Sequence, residues 1–496
     1  MLSLVIFLPV LAAIVLAVMP RITDAAARWS WLVVTLLDLA LVVGLWVSYR
    51  DPGAGGLAFE EQLPWIPNVG SSYHLGLDGL SLPLVALTSL IFVVCAVFAL
   101  RDTDRPRSQA ALFLFLQTAS LGVFAAQDLI LFFVFFDLSI VGMYFVIAGW
   151  GHGNAARSAL KFFLYTFLGS LALLVGFIGL YLGSEAKTFD MVELAQNPPF
   201  GDQPVVGGLV LAAVFIGLAI KTPTFPFHTW LPPAHTDAPA IGSVVLASIL
   251  LKMGTYGFVR IAMPMLPDAW RDWAWLIVVI GVISVLYGAL VALAQTDFKR
   301  MIAYTSVNHM GYVVLAVGAA GVVSDSAAQA REVAITGAVV QMVSHGLITG
   351  ALFLLAGVLY DRKGSYDIGS YGGLAAPAPR YAAFFVVAAF ASLGLPGFSG
   401  FIAEFQIFAG SIGPVPLTAF ALPGILITAA MFLRALQRML MGETRGLSDG
   451  FHDLDRREII AIAPLLLLAV IIGIVPRFLL DVIEPASSVV IELVSR

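Results

Sequence analysis

The sequence predicts an all-α polytopic membrane protein with about 14 transmembrane helices. Hydrophobic residues make up 60% of its 496 residues and charged residues only 11%, whereas about a quarter of a soluble domain is charged. The apolar residues form continuous runs of about 20, the length of a membrane helix, rather than the alternating strands of a barrel. With a net charge of −5, this composition excludes a soluble multidomain enzyme, a disordered chain and a basic nucleic-acid-binding protein.

The predicted spans follow one another with short polar connections. They cover 2–20, 29–49, 79–100, 109–126, 128–149, 159–182, 206–230, 240–263, 273–294, 301–320, 331–359, 381–410, 415–440 and 458–483. The first run has no Lys or Arg before Pro20. A secretory signal begins with a basic segment, so we expect a membrane span there.

Basic residues in the connections predict the orientation of the spans. The odd-numbered connections and the span ends beside them hold 17 of the 26 Lys and Arg residues, and the even-numbered connections and their flanking span ends hold 5. Because cytoplasmic loops are enriched in Lys and Arg, we expect the odd connections in the cytoplasm and both termini on the outer side of the membrane.

Two spans are interrupted by helix-breaking residues. The seventh contains K-T-P-T-F-P at 221–226, and the twelfth contains G-L-P-G at 394–397. Proline removes a backbone donor and clashes with the preceding turn. A broken helix at membrane depth is tolerated only inside protein or beside a water-filled cavity. Ordinary kinking is the alternative interpretation.

The two breaks lie five spans apart, which predicts two inverted five-helix repeats, the plan of many ion-coupled transporters. The first repeat would comprise 109–263 and the second 273–440. Three N-terminal helices in 1–108 and a C-terminal helix in 458–496 would complete a single membrane domain.

Ionisable residues lie inside the predicted spans, although a charge at the bilayer centre costs at least about 2.5 kcal/mol on insertion scales. They are Asp137, Lys221, Lys252, His309, His345 and Glu404. No opposite charge lies four residues away on the same helix, so any partner must come from another helix, and we expect Asp137 to pair with Lys221. A series of acids and bases near the midplane suits proton transfer. A static ion pair and hydrogen-bonded structural histidines are the alternatives.

Other polar residues near the breaks have weaker signals. Lys161 begins the sixth span, where its side chain either reaches head groups or carbonyls or turns inward to act on the ion pair. His228 and His235 are 7 residues apart with no third ligand nearby, so we expect them to cap a helix or line a vestibule after the break rather than bind a metal ion. A single cysteine, Cys95, excludes a disulfide framework and a Cys-ligated iron–sulfur cluster within this chain.

A long motif follows the first break: Lys221, two prolines, H-T-W-L-P-P-A-H at 228–235 and Lys252. N-H-M-G-Y at 308–312 and Q-M-V-S-H-G-L at 341–347 extend it. Over nearly the whole chain the sequence resembles the antiporter-like membrane subunits of respiratory NADH:quinone oxidoreductase, a family shared with multisubunit sodium/proton antiporters.

The resemblance implies a proton-translocating subunit in a bacterial cytoplasmic membrane. The residues that match the family's functional positions are Asp137, Lys221, Lys252, His345 and Glu404. Flavin mononucleotide, the iron–sulfur clusters and the quinone site are then expected on partner subunits, among them two further antiporter-like subunits. Glu404 resembles the class of family members with glutamate at this position, whereas the other two large bacterial classes carry lysine.

One departure from the family pattern concerns the expected ion pair. The family usually has Glu where this chain has Asp137, and Pro where it has Gly142. Asp is one methylene shorter, so backbone freedom at Gly142 or a water molecule must close the gap to Lys221. An antiporter subunit without redox partners and a structural scaffold with static charges remain the alternative functions.

Overall fold

Long apolar helices lie side by side in the computed structural model, which describes residues 1–19, 22–53, 55–100, 104–323 and 327–496. The uninterrupted span helices are Leu2–Val18, Asp24–Ser48, Leu82–Ala99, Pro106–Ala125, Leu129–Trp150, Ala155–Gly183, Ala240–Met265, Pro267–Leu293, Phe298–Ala320, Ala328–Lys363, Pro423–Leu440 and Arg456–Ile474. Pro20, the end of the first predicted run, lies outside the described residues. Eleven helices among the described residues are long and apolar enough to cross a membrane.

The seventh and twelfth spans are both interrupted, as the Pro and Gly residues predict. The seventh consists of the helix Pro204–Lys221 and a short helix, Leu231–Asp237. The twelfth consists of Pro379–Ser392 and Ser399–Ser411. The described residues are therefore consistent with about 14 crossings, 11 of them formed by the long apolar helices.

Two helices differ from the sequence prediction. The eighth span contains π-helical turns at Leu246–Leu250 and Phe258–Ala262, which apolar periodicity does not reveal. The last predicted run, 458–483, is divided, because a helix ends at Ile474 and a separate helix, Arg477–Ser495, begins after Pro476. A proline removes a backbone donor and disfavours helical geometry in the residue before it, which explains the division.

Successive connections lie on opposite sides of the helices, because each span of about 20 residues crosses the membrane once. On the even side, the antiparallel strands Ala58–Ile66 and Ser71–Leu77 form a hairpin, and the Gln127 backbone N–H donates to the His74 carbonyl at 2.9 Å. On the odd side, the His152 N–H donates to the Asp237 carbonyl at 2.8 Å. We call the odd side, which holds most of the Lys and Arg residues, the basic side.

The eighth and eleventh spans form the centre of the molecule. In the most apolar stretch of each span, 94% of the residues are buried in the eighth span and 100% in the eleventh, whereas only 39% are buried in the sixth. Lys252 and His345 lie on these two central spans, so protein rather than lipid surrounds both side chains.

The hairpin on the even side is held by a histidine between two carboxylates. The ring nitrogens of His74 lie 2.6 Å from Asp190 Oδ2 and 2.8 Å from Glu60 Oε1. Burial alone would lower the pKa of His74, but its hydrogen bonds to Asp190 and Glu60 and their charges outweigh burial and raise the pKa above the ordinary value. The contact is therefore charge-assisted over the range in which His74 is protonated.

We expect the stability that this contact gives the hairpin to be fully present below pH about 6.5, the ordinary pKa of histidine, and lost as pH rises through the raised pKa of His74. Hydrogen exchange of residues 58–77 in the purified protein measures this, with protection falling as pH rises. The variant His74→Gln should show no such pH dependence; an unchanged profile would contradict the ionic contact.

Candidate functional site

Lys221 is the last residue of the helix that the first break interrupts, and its side chain is 1% exposed. Its Nζ donates to Ser139 Oγ at 3.0 Å and lies 4.7 Å from the centroid of the Phe136 ring. A hydroxyl and an aromatic face stabilise a buried ammonium, but neither neutralises its charge. The helix end thus places a lysine inside the protein without a direct carboxylate partner among the described residues.

Asp137 lies on the neighbouring fifth span and is half-buried. It contacts Ser170 and interacts electrostatically with Lys221. Within the described part of the chain no ion pair within 4.0 Å joins Asp137 to Lys221, and Asp137 Oδ1 has no hydrogen-bond partner. The expected pair is therefore close enough to interact but not in contact.

Gly142 does not close this gap. The fifth span runs as a continuous helix from Leu129 to Trp150. A Cβ at position 142 would lie 2.6 Å from Leu116 Cδ2, so the glycine allows close packing against the fourth span instead of bending the helix. Asp137 and Lys221 can therefore be connected only if one of the two side chains moves or if a water molecule bridges them.

Lys252 is fully buried at the centre of the molecule. Its Nζ donates to the Ala247 carbonyl at 2.5 Å and lies 2.6 Å from His345 Nδ1. Ala247 belongs to the π-helical turn that precedes Lys252, and such turns are frequent at functional sites. The eighth and eleventh spans therefore bring a lysine and a histidine into direct contact, a pair that the sequence places 93 residues apart.

The contact continues from His345 toward the second break. His345 Nε2 lies 3.2 Å from Ser306 Oγ, and the His309 ring centroid is 5.5 Å from that of His345. His309 Nδ1 lies 3.1 Å from Gln341 Nε2 and 3.6 Å from Glu404 Oε1. A cavity beside these residues leaves about 10 Å³ for the centre of a water molecule, which is room for about one water.

Glu404 follows the second break and is 5% exposed. Gly394, within the break, has φ of +73°, and a Cβ there would lie 2.6 Å from Glu404 Oε2. Both the left-handed backbone and the approach of the carboxylate therefore require glycine. Ser344 and Ser399 hydroxyls lie 2.7 Å apart and join the eleventh span to the helix that carries Glu404.

The ionisable residues fall into two groups. Asp137 and Lys221 form the first, and Lys252, His345, His309 and Glu404 form the second. The eighth span packs against the first break at Gly254, where an added Cβ would meet Thr222 Oγ1. Thr222 Oγ1 is buried without a hydrogen-bond partner among the described atoms. A polar atom therefore lies at the boundary between the group of Lys221 and the group of Lys252.

The other polar residues near the first break lie around it. Lys161 is exposed, and its Nζ donates to the Thr229 carbonyl at 2.7 Å. His228 lies against the rings of Phe225 and Tyr287. Within the described residues, no group of three or more His, Cys, Asp or Glu side chains could hold a metal ion.

Asp38 and Lys299 are among the buried charged groups that sequence reasoning missed. Asp38, within the second span, accepts from Ser89 Oγ and Gln117 Nε2, both at 2.7 Å. Lys299, at the start of the tenth span, is 0% exposed and donates to the Ala238 carbonyl at 2.5 Å. Asp38 is flanked by apolar residues, as Asp137 is, so the sequence could have indicated its burial. Lys299 is next to Arg300, and two adjacent basic residues are typical of a polar connection.

Comparison with known proteins gives consistent matches. The family model described as NADH:quinone oxidoreductase/Mrp antiporter, TM, matches residues 126–432. NADH-quinone oxidoreductase subunit M of Rickettsia prowazekii (strain Madrid E) is 38% identical, over 97% of this chain and 96% of that protein. Subunit M of Rhodobacter capsulatus is also 38% identical, over 98% of this chain and 95% of its own length.

Solved structures agree with these relatives. A chain of respiratory complex I from Thermus thermophilus has a TM-score of 0.89 at 31% identity, with 100% of both chains covered. A chain of the Mrp complex from Dietzia sp. has a TM-score of 0.85 at 21% identity, covering 100% of this chain and 99% of that one, and shares the fold. Both sequence relatives are named subunit M, which confirms the class within the family that the sequence predicted.

The all-α polytopic fold expected from the sequence is thus confirmed, and this multi-pass membrane chain belongs to the NADH:quinone oxidoreductase/Mrp antiporter transmembrane family, among relatives that are subunit M proteins.

Proposed function

We propose that this chain is a proton-translocating membrane subunit of an NADH:quinone oxidoreductase and performs no redox chemistry itself. The observation that carries the proposal is the buried series from Lys252 through His345 and His309 to Glu404, in which a lysine contacts a histidine at 2.6 Å and a histidine lies 3.6 Å from a carboxylate. Proton-binding groups at such spacing, shielded from lipid, can pass a proton along.

The proposed path enters from the basic side, passes Lys221, Lys252 and His345, and leaves near Glu404. A proton reaching His345 can pass to His309 through the water-sized cavity that both rings line. The hydroxyl of Ser306, 3.2 Å from His345 Nε2, can orient the imidazole for this transfer. The 3.6 Å separation of His309 from Glu404 exceeds a hydrogen bond, so a water molecule or a small rotation completes the last step.

Asp137 and Lys221 are the proposed point of control. Asp137 is half-buried, and Val141 and Phe145 on the same helix are 37% and 52% exposed, so a neighbouring subunit can pack against this part of the fifth span. A shift of Asp137 toward Lys221 would stabilise the charged ammonium, and a shift away would release its proton.

The proposed assembly supplies what this chain lacks. Other membrane subunits, including two further antiporter-like subunits, would adjoin it; flavin mononucleotide, the iron–sulfur clusters and the quinone site would belong to partners. Its one cysteine, Cys95, is buried. The proposed location is the bacterial inner membrane with the basic side in the cytoplasm and both termini outside, which the 17 basic residues in and beside the odd connections support.

Purification in mild detergent through a tag on this chain tests the assignment. NADH:quinone activity together with iron in stoichiometric partners is the expected result. A small assembly of membrane subunits without iron or NADH activity would contradict it and favour the sodium/proton antiporter, which shares this fold.

Asp137→Glu should retain proton translocation, whereas Asp137→Ala should reduce it at least about tenfold, because only the first keeps a carboxylate near Lys221. The extra methylene of Glu moves the carboxylate toward the gap that Asp137 leaves open. Proton translocation per NADH oxidised in liposomes measures both variants. Normal translocation by Asp137→Ala in an intact assembly would show that the pair is not the point of control.

A further inference from the structure

A vestibule of about 460 Å³ opens between the connections on the basic side. Among the residues that line it are Trp150, His152, Tyr360, Asp361, Tyr366 and Glu458. The proposed path through Lys221 makes no use of this space. Its lining mixes aromatic rings with two carboxylates, a histidine and Arg457, and Glu458 is paired with Arg362 at 2.7 Å; water can wet such a polar surface.

Lys299 lies directly behind this lining. Its Nζ is 5.1 Å from the centroid of the Tyr366 ring, and the Tyr366 hydroxyl lies 3.2 Å from His152 Nε2. The lysine is 0% exposed, yet Asp237, Asp297 and Asp361 all act on it electrostatically. A buried ammonium in the field of three carboxylates, one tyrosine ring away from a vestibule, is placed to exchange a proton with that side.

His235 is a buried histidine that interacts electrostatically with two buried lysines. It is 0% exposed and stacks on Phe353 with the ring centroids 4.5 Å apart. Both Lys299 and Lys252 act on it electrostatically, and so does His345. Both of its ring nitrogens are without a hydrogen-bond partner among the described atoms. Leaving such groups unsatisfied is costly, which favours water molecules on both sides of the imidazole.

We propose that this vestibule is a second proton inlet, which joins the buried series at Lys252 through Lys299 and His235. The inference rests on the proposed function. A proton passes from vestibule water to the Lys299 amine, then through bridging water and His235 to the Lys252 amine; at each transfer one N–H or O–H bond forms on the acceptor as the donor's O–H or N–H bond breaks. The alternative is a static Lys299 that only ties the tenth span to the Ala238 carbonyl.

The variant Lys299→Arg separates these roles. Arginine keeps a cation and donors for the Ala238 carbonyl but does not release its proton in proteins. His235→Gln tests the same inlet without altering Lys299, since glutamine keeps a polar side chain and lacks the titrating ring. Lys363→Met is the matched control, because Lys363 lies on the same side and donates to the Asp449 carbonyl at 2.8 Å.

All variants are assayed in the complete purified complex in liposomes, with assembly checked on native gels. We expect Lys299→Arg and His235→Gln to lower coupled NADH oxidation and proton translocation at least about tenfold, with Lys363→Met unchanged. Normal translocation by His235→Gln, or by an assembled Lys299→Arg, would overturn the inlet. If Lys221→Met and Glu404→Gln also pumped normally, the proposed function itself would fail.

Discussion

Lys221→Met should abolish proton translocation by the assembled complex and leave its assembly intact or improved. The buried Lys221 ammonium contacts a hydroxyl and an aromatic ring but no carboxylate within 4.0 Å among the described residues. On insertion scales a charge at the bilayer centre costs about 2.5–3.5 kcal/mol, so its replacement by an unbranched apolar side chain removes an unfavourable term. Stability and function should therefore change in opposite directions.

The measurement combines native gels with proton translocation per NADH oxidised in liposomes. Lys187→Met is the control, because Lys187 is exposed and donates only to the Leu182 carbonyl among the described atoms at 2.6 Å. Loss of assembly in Lys221→Met with normal translocation by the remaining complexes would indicate a scaffold whose lysine has a structural role. Normal assembly with normal translocation would remove Lys221 from the path.

Much of the fold could be predicted because lipid imposes strict rules on sequence. Every backbone donor in the hydrocarbon region must be satisfied within the protein, so apolar runs of about 20 residues give helices, and K-T-P-T-F-P and G-L-P-G give breaks. The π-helical turns that flank Lys252 could not be predicted. They add a residue to a turn without changing the apolar character of the run, so composition gives no signal.

The candidate site was predictable as a set of residues but not as a set of contacts. Charge inside an apolar run singles out Lys252 and His345, yet their 2.6 Å contact depends on how the eighth and eleventh spans pack. The expected partner of Lys221 is nearby but not in contact. Lys299 escaped notice because it follows Asp297 and precedes Arg300, a composition typical of a connection, although packing buries it completely.

Glu404→Gln should have the second large effect, a reduction of coupled NADH oxidation and proton translocation by at least about tenfold. Glutamine has nearly the same shape as glutamate, so it should fit against Gly394, which leaves room for the carboxylate. His309 keeps its neighbours Gln341 at 3.1 Å and Ser392 at 3.3 Å. The local structure should therefore survive, and only the ability to bind and release a proton is lost.

Two further variants decide what the carboxylate contributes. Glu404→Asp keeps the acid but draws it back from His309, which already lies 3.6 Å from Glu404 Oε1, so partial activity is expected if a water molecule bridges the gap. Glu492→Gln, at a side chain that is 61% exposed, should behave like the unaltered complex. If Glu404→Gln translocated protons at the normal ratio, the proton would leave the series before Glu404, and the route out of the membrane would have to begin at His345 or His309.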